Sequence, residues 1–366
     1  MKLTGGTTRR EFLAAAAAAA LAASARGQAP SRATVPKVNG GLNVQPLRRF
    51  GRDAPGAQPL IVPELVDLQL GLAYEWGFDG LRVTVPFDDT PNLLAALAYL
   101  RAARAVGLDA VAILADFSGL STAQALLDAR RRPRLLEALV GLLARPVAVA
   151  DPAVREPGRI AFQVLNEPTH FLGLPPDAYV RDVLRPTFVE LKRLAPEVIV
   201  VSAAEVGNTA GPLRVRAMID AGLQDFCDRI AYHVYSEKVI EPLAGDVNRL
   251  VWVTESGATG TERHLPWVKD VFPRIRAGIA DVSRIFYFDL FDPQPGGFRA
   301  VDIVPDGAGG FRAAFESADL VGYWTSRVRE AESGRASLAW RELVPDVTAY
   351  FADAADLRLV ERLETL

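Results

Sequence analysis

The 366-residue chain is poor in the residues that metal and thiol chemistry need, with one cysteine, three histidines and two methionines. A single cysteine, Cys227, excludes an intrachain disulfide. Its setting, Asp225-Phe226-Cys227-Asp228 just ahead of a strand pattern, reads as a buried thiol acting as a small hydrophobe. There is no H-E-x-x-H and no cysteine pair, so no catalytic metal is expected. Asp302-Ile303-Val304-Pro305-Asp306-Gly307 has too few alternating acids for a calcium loop. Gly-rich phosphate loops of the forms G-x-G-x-x-G and G-x-x-x-x-G-K are also missing, so no nucleotide cofactor is expected. A formal charge of −3 supplies no basic field for nucleic acid. The one dense patch, Arg130-Arg131-Arg132, reads as a solvated helix end.

The amino terminus carries a different signal. Thr8-Arg9-Arg10-Glu11-Phe12-Leu13 precedes an alanine-rich run to Ala23 and an Ala23-Ser24-Ala25 cleavage site, the pattern of a twin-arginine secretion signal. A stable membrane span is not expected, because about 20 strongly apolar residues are needed to cross a bilayer and this run is shorter and mostly alanine. The expectation is a signal peptide over 1–25, a flexible lead-in over 26–38 and one catalytic domain over 39–366. The twin-arginine export machinery would be a partner, and the destination periplasmic or extracellular.

Half of the residues are hydrophobic, enough for one large core. Apolar runs bounded by turn residues predict eight strands: Gly41 to Gln45, Gly80 to Val85, Ala110 to Ala115, Ile160 to Leu165, Val198 to Ala203, Arg229 to Val234, Leu250 to Thr254 and Ile285 to Leu290. Helical spacing follows most of them, over Leu65 to Trp76, Leu93 to Ala105, Ala123 to Leu143, Tyr179 to Leu194, Leu213 to Ala221 and Leu265 to Ala280. Short apolar strands alternating with helices pair in parallel with both faces covered, and eight such units close into a (β/α)8 barrel. Ser236 to Arg249 is too short for a long crossover helix. Beyond strand eight, Asp292 to Gly310 is turn-rich, and helical patterns near Ala313 to Glu330 and Pro345 to Val360 predict the last barrel helix and a C-terminal extension.

Two of these strands end on a glutamate. Glu167 follows Phe162-Gln163-Val164-Leu165-Asn166, and Glu255 follows Leu250-Val251-Trp252-Val253-Thr254. Both would emerge on the C-terminal face, where barrel enzymes build their active sites. Two carboxyl groups in different environments are what glycoside hydrolysis needs, one to protonate the departing oxygen and one to stay ionised. Arg82, inside the apolar strand Gly80-Leu81-Arg82-Val83, needs an acid to offset its burial, and Glu255 is the candidate. His233 and Tyr235 alternate, so both point to one face of strand six, taken as the barrel interior. Tyr235 would keep Glu255 ionised, while His233 would contact a sugar hydroxyl or Glu167. Trp252 is an odd number of positions from Glu255, and alternation places it on the opposite face, between barrel and helices.

The ordered set Gly41-Leu42-Asn43-Val44, Gly77-Phe78-Asp79-Gly80-Leu81-Arg82, Leu165-Asn166-Glu167-Pro168, His233-Val234-Tyr235 and Val251-Trp252-Val253-Thr254-Glu255-Ser256-Gly257 resembles clan A glycoside hydrolases, nearest the cellulase-like family 5 and family 39. The resemblance runs from about Gly40 to Asp292. It implies a retaining mechanism with Glu167 as acid/base and Glu255 as nucleophile, Asn166 on the sugar 2-hydroxyl, Arg82 and Tyr235 orienting Glu255, and His233 lining the glycone site. Such enzymes usually carry a tryptophan platform at the end of strand eight. This chain has none in Phe286 to Asp292, so Phe291 or Tyr287 would take its place. The end of strand three, Leu114-Ala115-Asp116-Phe117, lacks the histidine often found there.

Glu205, at the end of strand five, is the chief rival carboxylate, and a Glu205→Gln variant is expected to keep most activity. His170 and His264, on loops after strands four and seven, are expected to face solvent. The expected substrate is an oligosaccharide, polysaccharide or glycoside. Two alternatives are a transglycosylase using the same residues and a non-catalytic carbohydrate-binding protein on a degenerate barrel.

Overall fold

The protein's structure, a computed structural model, describes residues 37–44, 63–85, 90–114, 120–150, 156–240, 247–291, 297–308, 310–332 and 340–364. The twin-arginine segment and nearly all of the lead-in lie outside these residues, as do Asp116 and Phe117.

Each of the eight strand patterns forms a strand: β1 (Gly41–Val44), β2 (Gly80–Thr84), β3 (Asp109–Ile113), β4 (Ile160–Gln163), β5 (Ile199–Val201), β6 (Ile230–Val234), β7 (Val251–Ser256) and β8 (Val282–Tyr287). All neighbours pair in parallel, in the order β5-β4-β3-β2-β1-β8-β7-β6. Helices α1 (Pro63–Glu75), α2 (Thr90–Ala105), α3 (Leu120–Leu127), α4 (Arg132–Leu143), α5 (Pro168–Leu172), α6 (Arg185–Leu194), α7 (Gly211–Asp220) and α8 (Phe272–Gly278) fall between consecutive strands. Ala123 to Leu143, read as one helix, is two. Asp128 Oδ1 accepts the backbone N–H groups of Arg130 (2.7 Å) and Arg131 (3.3 Å), and Pro133 opens α4. Between β6 and β7 the described residues hold a single tight turn of helix, Glu237–Val239.

The ring closes between β5 and β6 more sparsely than elsewhere. A bridge pairs Val201 with Arg229, Ser202 N–H donates to Arg229 O (3.0 Å), and the Ser202 hydroxyl accepts the Ala231 N–H (3.0 Å). Two apolar clusters follow from the barrel geometry. The larger fills the space between strands and helices, while Val111, Ala161, Ile199, Val201, Ala204, Ala231, Trp252 and Phe286 pack inside the ring. Gly41 is required there, since a Cβ would come within 2.3 Å of the Phe286 ring. At the N-terminal end Arg284 bonds Asp79 and Asp109, each at 3.0 Å, and its guanidinium lies 5.0 Å from the Trp252 ring centroid. The expected face of Trp252 is therefore wrong, and a β-bulge is the reason. The register runs Tyr232 to Val253 and then His233 to Glu255, skipping Thr254. The extra residue resets the alternation, so Trp252 and Glu255 both face inward.

Cys227 is fully enclosed, and burial pushes its thiol up to about 12. After β8 the chain departs from expectation. Residues from Val301 form an antiparallel hairpin, β9 (Val301–Pro305) with β10 (Phe311–Phe315), so the start of the helix predicted from Ala313 is strand. Helix α9 (Ala318–Glu332) covers the barrel, and α10 (Trp340–Leu343) and α11 (Ala354–Glu364) form the extension. Trp76 and Trp324 pack together with ring centroids 5.8 Å apart.

Candidate active site

The Glu167 carboxylate reaches the barrel mouth through an unusual turn. β4 stops at Gln163, and both Leu165 (φ 67°) and Glu167 (φ 47°) adopt the left-handed region that non-glycine residues avoid. Pro168 then starts α5. The turn is held from the segment just past β5, where Ala204 O accepts the Glu167 N–H (2.9 Å), and from α5, where the Phe171 N–H donates to Glu167 O (3.0 Å). Glu255 arrives on β7 one residue past the bulge.

Both glutamates are 6% exposed and His233 is 1% exposed, so their charges act in a poorly solvated space. His233 stands between them, with Nδ1 2.9 Å from Glu167 Oε1 and Nε2 3.4 Å from Glu255 Oε1. One donor atom from each of the three lies within 4.8 Å of the others. This is the one group of three metal-type donors among the described residues. Positive charge is already present beside it, since Arg82 Nη1 lies 2.7 Å from Glu255 Oε1.

Arg82 is buried, and its guanidinium is satisfied on every side. Nε donates to Gln163 Oε1 (2.8 Å), Nη1 to Asn43 Oδ1 (2.7 Å) and Glu255 Oε1, and Nη2 to Asn166 Oδ1 (2.8 Å). Gln163 Nε2 also donates to Asn166 Oδ1 (3.0 Å). With its carbonyl oxygen accepting twice, Asn166 presents its NH2 group toward Glu255 Oε1 (3.4 Å). The remaining oxygen, Glu255 Oε2, accepts the Tyr235 hydroxyl at 2.6 Å. Burial alone would raise the Glu255 carboxyl. The charges of His233 and Arg82, with hydrogen bonds from Tyr235 and Arg82, overcome it and hold the group below its ordinary range. Burial, with the adjacent Glu255 charge, lifts the Tyr235 hydroxyl well above its ordinary value, so it stays a donor.

The structure thus brings Arg82, Asn166, Glu167, His233, Tyr235 and Glu255 together. Phe291 does not join them. It is 0% exposed in the core between strands and helices, so it offers no open ring face to a sugar. Tyr287 is buried too, its hydroxyl 2.6 Å from His264 Nδ1. His264 is accordingly enclosed and not on the surface, whereas His170 is exposed. Two half-buried aromatics, Phe288 and Phe298, lie beside Tyr235, with ring centroids 5.7 and 5.3 Å from its ring. Phe298 lies in an irregular turn, where no periodicity in the sequence marks it. Gln163 was legible, being a polar residue at the same alternation as Ala161 inside an apolar strand.

Glu205 is buried behind the Glu167 turn, and among the described residues its hydrogen bonds and ion pairs go to Thr169 and Arg214 rather than to Glu255's partners. Its Oε1 accepts the Thr169 N–H (3.0 Å), and its Oε2 lies 3.5 Å from Arg214 Nη1. Burial raises its carboxyl, the Thr169 bonds and Arg214 oppose this, and the Glu167 charge adds to the rise.

The barrel is similar in fold to solved glycoside hydrolases. Bacteroides uniformis beta-glucuronidase 2, covalently bound to cyclophellitol-6-carboxylate aziridine, matches with a TM-score of 0.52 and 13% identity over 82% of this chain and 37% of that one. The endo-1,4-beta-D-mannanase of Thermotoga petrophila matches at 0.47 and 12% identity, over 78% of this chain and 99% of that one. Cel5A of Thermotoga maritima, with cellobiose, matches at 0.46 and 14% identity, over 78% and 95%. At such identities the likeness is one of fold, the (β/α)8 barrel. No family model and no curated protein matches the sequence.

Proposed function

We propose that the protein is a retaining glycoside hydrolase acting on a β-linked glycan or glycoside. One observation carries the reading: two buried carboxylates with different partners face each other across His233, with oxygens within 4.8 Å. Retaining enzymes hold their carboxyl groups about 5 Å apart, and inverting enzymes space them more widely to admit water. Glu255, held ionised by Arg82 and Tyr235, attacks the anomeric carbon. Glu167 gives its proton to the departing oxygen, then takes one from the water that releases the sugar. The Asn166 NH2 group is placed to donate to the 2-hydroxyl beside Glu255. The amino-terminal signal supports export through the twin-arginine route, and no helix among the described residues is long and apolar enough to cross a membrane.

Incubation with a panel of 2-deoxy-2-fluoro glycosyl fluorides, read by intact mass and peptide mapping, is expected to place one sugar on Glu255. Glu255→Ala should abolish turnover. Glu167→Ala should slow substrates with poor leaving groups by about 10²–10⁴-fold and spare activated aryl glycosides. Equal losses for both substrate types would remove Glu167 from the acid's role.

A further inference from the structure

Glu205 takes no part in the chemistry above, yet it is buried and fully engaged beside the turn that carries Glu167. Ala204 and Glu205, adjacent residues just past β5, grip that turn at two points. Ala204 O accepts the N–H of Glu167 (2.9 Å), and Glu205 Oε1 accepts the N–H of Thr169 (3.0 Å). Between these points Pro168 has no N–H to give. The turn itself has little local reason to keep its shape, because Leu165 and Glu167 both occupy the left-handed region that side chains with a Cβ disfavour. Arg214 on α7 meets the other Glu205 oxygen at 3.5 Å and keeps the carboxylate aimed at the turn. Tyr179 supports the same segment from behind, accepting the Ala203 N–H (2.7 Å) and donating to Val164 O (2.9 Å).

We propose that Glu205 is the positioning residue for the acid/base: as a buried acceptor for Thr169 it clamps the left-handed turn, and so holds Glu167 against His233 and across from Glu255. It touches no substrate and acts only through Glu167. The kinetic consequence rests on the glycosidase reading; the structural consequence does not.

Three variants separate the parts. Glu205→Ala removes the acceptor, Glu205→Gln keeps an acceptor without the charge, and Glu205→Met fills the volume without an acceptor and serves where the alanine variant does not fold. Crystal structures should show the contact between Glu167 and His233 lost in Glu205→Ala or Glu205→Met and kept in Glu205→Gln. For kcat/KM, matched 2,4-dinitrophenyl and phenyl β-D-glucosides and β-D-mannosides are the probes. Loss of the clamp should slow the phenyl glycosides at least tenfold more than the dinitrophenyl ones, with recovery in Glu205→Gln. Added to Glu167→Ala, it should change little, because both act through one proton transfer. Equal loss on both leaving groups, or an effect that simply adds to Glu167→Ala, overturns the proposal. Should the wild type turn over none of these glycosides, the crystal structures decide alone: Glu167 unmoved without the acceptor overturns the clamp.

Discussion

Tyr235 and Arg82 approach Glu255 on different oxygens, at 2.6 and 2.7 Å, so each can be removed without displacing the other. Tyr235→Phe takes away one hydrogen bond to a charged group, worth about 1.5–3 kcal/mol, and kcat/KM should fall about tenfold to a hundredfold. The sign of the pH effect follows from the depressed Glu255 carboxyl. With a donor lost, the carboxylate takes up its proton more easily, so the acid limb of the kcat/KM profile should move to higher pH. An unmoved limb would mean that Tyr235 does not tune Glu255. At this scale much was legible in the sequence, since a charged or amide side chain inside an apolar strand must find a partner. Arg82 obeys that rule, and so does Gln163, which meets Arg82 and Asn166. The burial of Phe291 was not legible, because past Tyr287 the chain leaves the strand and alternation no longer says which way a ring points.

Among the elements, α11 is fastened to the barrel helices by one carboxylate. Asp356 is fully enclosed, bonded by Arg101 through Nη1 (2.7 Å) and Nη2 (2.8 Å) and by Arg145 (2.7 Å). Burial works against its charge, but these hydrogen bonds hold the carboxyl well below its ordinary range. A depressed carboxyl contributes stability above its unfolded-state value and loses it as pH falls toward the folded-state value. Asp356→Asn should therefore cost about 3 kcal/mol near neutral pH, the low end for a buried pair because Arg145 is half-exposed. The difference between variant and wild type should shrink below about pH 4. Denaturant unfolding at pH 7 and pH 3 checks both, and a gap that stays constant would place the stabilisation elsewhere. The strand and helix pattern could be read from the sequence because short apolar runs and helical spacing are local. The bulge at Thr254 could not, since only pairing with β6 reveals the skipped residue. Nor could β10, whose Phe311-Arg312-Ala313-Ala314-Phe315 has two alanines that suit a helix and becomes a strand by pairing with β9.

For the whole molecule, the sequence spoke to the number of strands and their parallel sense, but not to where the ring would be thinnest. That place is the seam between β5 and β6, where the Ser202 hydroxyl stands in for a missing strand partner by accepting the Ala231 N–H. Ser202→Ala leaves that buried N–H unsatisfied, at a cost of about 1–3 kcal/mol. Hydrogen exchange should then quicken at Ala231 and along β6 before the other strands, and uniform exchange around the ring would contradict the seam. The same gap partitions the chemistry. Glu167 belongs to the five strands before it and Glu255 to the three after it, joined across β1 and β8 by the pairing of Gly41 with Phe286 and Leu42 with Tyr287. A chain severed between Asn208 and Gly211 would yield two pieces, of five strands and of three, each with one of the two carboxylates that the proposed reaction needs. If the protein is the glycosidase proposed above, their reassembly would be announced by restored glycoside cleavage, which would make it a template for a split reporter of association.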